Sequence, residues 1–107
     1  MMDCISNIEN DASEGEEAFL SDRRIQDAIT RNFEIIGEIV KRLPKPLLAT
    51  YPEISWSEIA QFRDFLIHHY DRVEPQTLWL IVQNDLQPLK ETVRRMISTI
   101  SQADRSD

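Results

Sequence analysis

The segment Arg63-Asp64-Phe65-Leu66-Ile67-His68-His69-Tyr70 holds a guanidinium, a carboxylate, two imidazoles and a phenol within eight residues. A histidine titrates close to neutral pH and can take or give a proton there. An arginine presents a planar fork of donors that can hold the extra negative charge on a phosphorane. Arg63 and His68 therefore have the residue types for phosphodiester chemistry. Other chemistries fit less well. His68 and His69 are adjacent and point about 100° apart on a helix, which is awkward for one metal ion. Asp64 and His68 share a face at i, i+4, but two ligands do not close a zinc site, so no metal is expected. A Cys–His nucleophile pair would have to use Cys4, close to the N-terminus. On an ideal helix Arg63 and His68 are themselves about 140° apart. A symmetric dimer could bring two copies of this helix end together and so supply both groups to one phosphate. From residue types alone the alternative also stands that these side chains merely face solvent or cap a helix end.

The elements that must position this segment are helical. Ile25, Ile29, Phe33, Ile36, Val40 and Leu43 recur at steps of four, four, three, four and three, one face of a long helix. Asp22 or Ser21 can cap its start. Lys41 and Arg42 in its last turn complement the helix dipole, and Pro44 and Pro46 end it. Ala28, Ile35 and Ile39 lie off the stripe, so this helix should touch two neighbours. Gly37 costs about 1 kcal/mol against alanine in a helix interior, and a close backbone approach would account for it. Residues 44–54 read as a proline-rich loop. Ser55-Trp56-Ser57-Glu58 has the spacing of a capping box, and a helix is expected from Trp56 to Tyr70. Pro75 suits the first turn of a last helix with the stripe Leu78, Val82, Leu86, Leu89, Val93, Met96 and Ile100. Pro88 either kinks that helix or falls in the first turn of a new one capped by Asp85. Residues 2–10 read as a short helix followed by an acidic linker, and the polar tail 102–107 is expected to fray. The fold expected is all-α, an antiparallel bundle of four to five helices in a single domain spanning 1–107.

Composition sets bounds on function. The chain has 107 residues, with 19 acidic side chains against 12 lysines and arginines and a net charge of −7. Residues 1–22 carry seven acids and no base, while residues 23–107 hold the other 12 acids and all 12 bases. A sequence-blind, RNA-coating surface would need a basic excess; a small cleft that holds one phosphate does not. Only two glycines occur, which argues against an all-β fold with many tight turns. The single cysteine, Cys4, fits a reducing compartment. No apolar run approaches the ~20 residues of a membrane span, and no secretory signal is seen, so a cytoplasmic location without membrane contact is expected.

The spacing Arg63, four residues, His68, one residue, Tyr70 resembles the signature of the HepT-like branch of the HEPN superfamily, long filed as a domain of unknown function. The blocks Ala18-Phe19-Leu20-Ser21-Asp22-Arg23-Arg24-Ile25-Gln26-Asp27-Ala28, Arg31-Asn32-Phe33-Glu34-Ile35-Ile36-Gly37-Glu38, Trp56-Ser57-Glu58-Ile59 and Leu78-Trp79 leading to Asp85-Leu86 follow in the expected order, over about residues 17–90. The resemblance implies a HEPN-like fold that dimerises, and the toxin half of a type VII toxin–antitoxin pair. It implies a metal-independent endoribonuclease, without cofactor, whose dimer cleft is lined by the arginine and histidine of both subunits. Arg63 would stabilise the phosphate, His68 would be the acid/base group, and Asp64 would support them. The ribose 2′-OH would attack the adjacent phosphate of the RNA substrate. The implied antitoxin partner is a minimal nucleotidyltransferase, MntA, that silences the toxin by transferring AMP to Tyr70. A competing reading is a non-catalytic helical subunit that docks such a nucleotidyltransferase. His69 is an extra imidazole beside the signature one and reads as a bystander.

Overall fold

The computed structural model describes residues 1–105, with side chains through Gln102. Among the described residues there are six α-helices, one 3₁₀ turn and no strand: α1 (Met2–Asp11), α2 (Glu16–Ser21), α3 (Arg23–Arg42), α4 (Lys45–Ala49), α5 (Trp56–His69), the 3₁₀ turn Tyr70–Arg72, and α6 (Pro75–Arg105). The all-α expectation holds. The four long helices match the count foreseen, and two short ones are added where a linker and a loop were expected.

The α3 stripe packs as its spacing predicts. Ile29, Phe33, Ile36 and Val40 are buried, while Ile25 and Leu43 at the ends are half-buried. The Asp22 carboxylate accepts from the Arg24 amide at 2.9 Å, so Asp22, not Ser21, is the side-chain cap. The supposed acidic linker is α2. Gly15 at φ 97° makes the turn into it, a conformation that side-chain-bearing residues rarely adopt. Phe19 is then buried with its ring 5.2 Å from that of Trp79. Burying that aromatic ring favours a helix over an exposed linker there. In the 44–54 segment Pro44 and Pro46 start α4 instead of prolonging a loop, because proline is tolerated in a first turn.

The segment before α5 is held by Trp56, whose Nε1 donates to the Tyr51 carbonyl at 3.0 Å. The capping box does not form. Ser55 has φ −81° and ψ 75°, outside the extended region that aims a cap side chain at the helix amides. Its carbonyl instead accepts from the Glu58 and Ile59 amides at 3.0 and 3.2 Å.

α6 runs unbroken through Pro88. Pro88 and Asn84 are exposed, so the Asn84 carbonyl that loses its helical donor is open to water. Leu86 and Leu89 on either side stay buried, and their packing holds the helix together. The stripe is buried from Leu78 to Met96, but Ile100 is half exposed. At 31 residues α6 accounts for most of the 51 Å long axis. The helix continues through Gln102, where fraying was expected, to Arg105; Ser106 and Asp107 of the polar tail lie outside the described residues.

α1 belongs to the core: Cys4, Ile5 and Ile8 are buried. Lys90 Nζ of α6 sits 2.9 Å from both carboxylate oxygens of Glu9. Some of the N-terminal acidity is therefore structural, pinning α1 to α6 and capping α3.

Candidate functional site

α5 carries Arg63, Asp64 and His68, and it packs antiparallel along α3. The crossing is tight at Gly37. A β-carbon placed there would meet the Arg63 Cβ at 2.2 Å, the Arg63 Cγ at 2.8 Å and the Ile59 carbonyl at 3.3 Å. The absent side chain at 37 is what lets the base of Arg63 lie against the α3 backbone, the close approach that the sequence suggested.

From that position Arg63 Nη1 donates to Asp64 Oδ1 at 3.0 Å. Lys41, from the last turn of α3, donates to the same oxygen at 2.6 Å. The Lys41 hydrogen bond first, and the Arg63 one second, hold the Asp64 carboxyl below the usual aspartate range. Two cations sharing one carboxylate leave the cluster with a surplus positive charge. Arg63 Nε is buried with no hydrogen-bond partner among the described residues, and the Arg63 side chain as a whole is 25% exposed.

His68 is exposed on α5, one turn beyond Asp64. No hydrogen bond or ion pair joins Arg63 to His68 among the described residues; both lie on α5, where five residues of regular helix turn through about 140°. His69 is half-buried, with its ring 5.3 Å from Phe65 and 6.4 Å from His68. Phe65 and Ile67 are 42% and 44% exposed.

Tyr70 departs from the expected course. His69 has φ −137°, which ends the regular helix, so Tyr70 starts the 3₁₀ turn and not the last turn of α5. Its phenol donates to Asp27 Oδ1 of α3. The Arg23 guanidinium carbon lies 5.8 Å from the centroid of the Tyr70 ring. Three residues thus join the site that residue chemistry alone did not single out: Lys41, Asp27 and Arg23. In the sequence Lys41 signals only a helix-dipole partner. Arg23 and Asp27 carried a usable signal, an i, i+4 pair of opposite charge.

Of two cavities, about 460 and 620 Å³, neither is lined by Arg63, His68 or Tyr70, but Lys41 lines the larger. Among the described residues no three histidine, cysteine, aspartate or glutamate side chains gather as a metal site. No described helix is long and apolar enough to cross a membrane.

This geometry joins a bundle of helices to a half-buried arginine, an exposed histidine and a tethered tyrosine on consecutive turns. The sequence profile of the family described as Ribonuclease HepT-like matches residues 1–96. A provisionally named ribonuclease HepT of Thermococcus cleftensis is 45% identical over 74 residues, which cover 69% of this chain and 67% of that one. A provisionally named RNase of Methanocaldococcus jannaschii is 38% identical over 82 residues, 73% of this chain and 68% of that one. Another from the same organism is 34% identical over 101 residues, 94% of this chain and 85% of that one. The chain belongs to the HepT-like ribonuclease family. No solved structure matches it.

Proposed function

We propose that this chain is the toxin of a type VII toxin–antitoxin pair. It acts as a metal-independent endoribonuclease on RNA, works as a homodimer in the cytoplasm, and forms one HepT-like domain over residues 1–107. Family membership supports the ribonuclease class. The observation that carries the site is Arg63, set against Gly37, its side chain a quarter exposed and its charge reinforced by Lys41.

In this reading the ribose 2′-OH attacks the neighbouring phosphorus. A new O–P bond forms, the bond to the 5′ oxygen breaks, and a 2′,3′-cyclic phosphate remains. His68 moves the proton, and Arg63 holds the charge that builds on the phosphate oxygens. Asp64 and Lys41 fix the arginine. Because Arg63 and His68 diverge within one chain, a twofold pair of α5 ends would complete each site. The exposed Phe65 and Ile67 beside His68 give that pairing an apolar surface. An MntA-like nucleotidyltransferase would silence the toxin by adding AMP to Tyr70, which sets a bulky anion where the RNA phosphate lies.

The test is RNA cleavage by the purified chain, with and without a chelator, beside His68→Ala and Arg63→Ala. The wild type should leave cyclic phosphate ends and ignore the chelator. The variants should lose about 10²- to 10⁴-fold. Equal cleavage by all three would remove the site assignment. A wild type that neither cleaves RNA nor arrests growth would favour the docking subunit instead.

A further inference from the structure

Tyr70 is tied to the start of α3 by two residues that the cleavage reaction does not use. Its phenol donates to Asp27 Oδ1. Arg23, one turn earlier on α3, has its Nε 3.8 Å from that same oxygen, and its guanidinium stands over the tyrosine ring at 5.8 Å. One carboxylate oxygen thus faces the phenolic proton while a cation waits beside the ring. Asp27 and Arg23 are the charged groups of α3 against the phenol; His69, Asp71 and Arg72 are its neighbours along the chain.

We propose that the Arg23–Asp27 pair is a built-in acceptor site for nucleotidyl transfer onto Tyr70: Asp27 takes the phenolic proton and Arg23 holds the phosphodiester that forms. This rests on the reading of Tyr70 as the AMPylated residue, and it states where the proton and the charge go. A free phenol titrates near 10, so it is protonated and a weak nucleophile at neutral pH. A carboxylate already accepting its hydrogen bond can receive the proton as the oxygen attacks.

The step balances. The bond from the phenolic oxygen to the α-phosphorus of ATP forms, and the bond from that phosphorus to the bridging oxygen of the β-phosphate breaks. Pyrophosphate leaves with the electron pair, and the proton goes to Asp27. The Asp27 side chain is 52% exposed, so it can return that proton to solvent. The product has no phenolic hydrogen and one new negative charge. It can no longer bond to Asp27, and Arg23 is the cation placed to pair with it.

The experiment uses the full chain, an MntA-like nucleotidyltransferase and magnesium-ATP. Initial rates of AMP addition are read by intact-mass spectrometry between about pH 6 and 9, a span below the titration of a free phenol. The wild-type rate should vary little with pH. Asp27→Asn keeps the shape of the side chain and lacks the basic oxygen. It should be about 100-fold slower at neutral pH and should gain about tenfold per pH unit as the phenolate fraction grows. Arg23→Gln should be slower at every pH with the wild-type profile. An Asp27→Asn variant with a flat profile, at the wild-type rate or below it, overturns the proposal and leaves Tyr70 as the modified residue. Wild type that takes up no nucleotide, or nucleotide that persists in Tyr70→Phe, removes the AMPylation reading and the proposal with it.

Discussion

Gly37 and Arg63 share one point of the α3–α5 crossing: a β-carbon on the glycine would stand 2.2 Å from the β-carbon of the arginine. Alanine at 37 would gain about 1 kcal/mol of helix propensity. The contact, however, is with a β-carbon and, at 3.3 Å, with the Ile59 carbonyl, so no change of rotamer relieves it. Overpacking of this kind costs about 1–3 kcal/mol. Gly37→Ala is therefore expected to lower stability in urea denaturation and to weaken RNA cleavage by displacing Arg63. Unchanged or higher stability would show that α5 does not sit this close.

The Lys41–Asp64–Arg63 cluster has a definite pH signature. A carboxylate whose folded pKa is depressed adds stability above its unfolded value, near 3.9, and that contribution is lost as pH falls through the folded value. Asp64 belongs to this class, through Lys41 first and Arg63 second. Its side chain is 45% exposed, so screening keeps the effect on stability small and the titration itself is the better readout. A carbon-13 NMR titration should place the Asp64 midpoint below the ordinary aspartate value, and Lys41→Met should raise it. A wild-type midpoint at or above that value would contradict the arrangement.

Arg63→Lys separates charge from geometry. Lysine keeps the positive charge but loses the planar fork. With Asp64 still beside it, the fold should be retained, because the stem of the side chain still lies against Gly37. RNA cleavage should fall about 10²-fold, the typical cost of one lost donor to a developing anion. Cleavage at the wild-type rate would mean that a point charge suffices.

The N-terminal helix offers a test of stability apart from catalysis. Ile8 is fully buried on α1, which packs against α3 and α6. Ile8→Ala should cost about 2–5 kcal/mol in denaturant unfolding. Glu9→Gln should cost less, since it weakens the pair with Lys90 but keeps a hydrogen-bonding oxygen. If Ile8→Ala were neutral, α1 would be dispensable to the core.

Much of the fold was legible in the chain. The apolar steps marked the buried residues of α3 and α6 because those helices are long enough for periodicity to average out local noise. Gly37 was readable because only a close approach compensates a glycine in the middle of a helix. Short elements were not. α2 and α4 have six and five residues, too few for a periodic signal, and they are helical because Phe19, Leu47 and Leu48 find partners in the core. The broken capping box and the unbroken α6 have a common origin. Local preferences at Ser55 and Pro88 are worth about 1–3 kcal/mol, and packing on either side outweighs them.

The sequence by itself determined the helical class, the placing of Arg63, Asp64 and His68 on one helix, and the 140° that separates arginine from histidine, because these depend only on residue order and the pitch of a helix. Tertiary structure decided which charges meet. Lys41 reaches Asp64 across 23 residues of chain, and Asp27 reaches Tyr70 across 43. Neither pairing has a local signal: both need α5 to run antiparallel to α3, and the second also needs the helix to break at His69, one residue before the tyrosine.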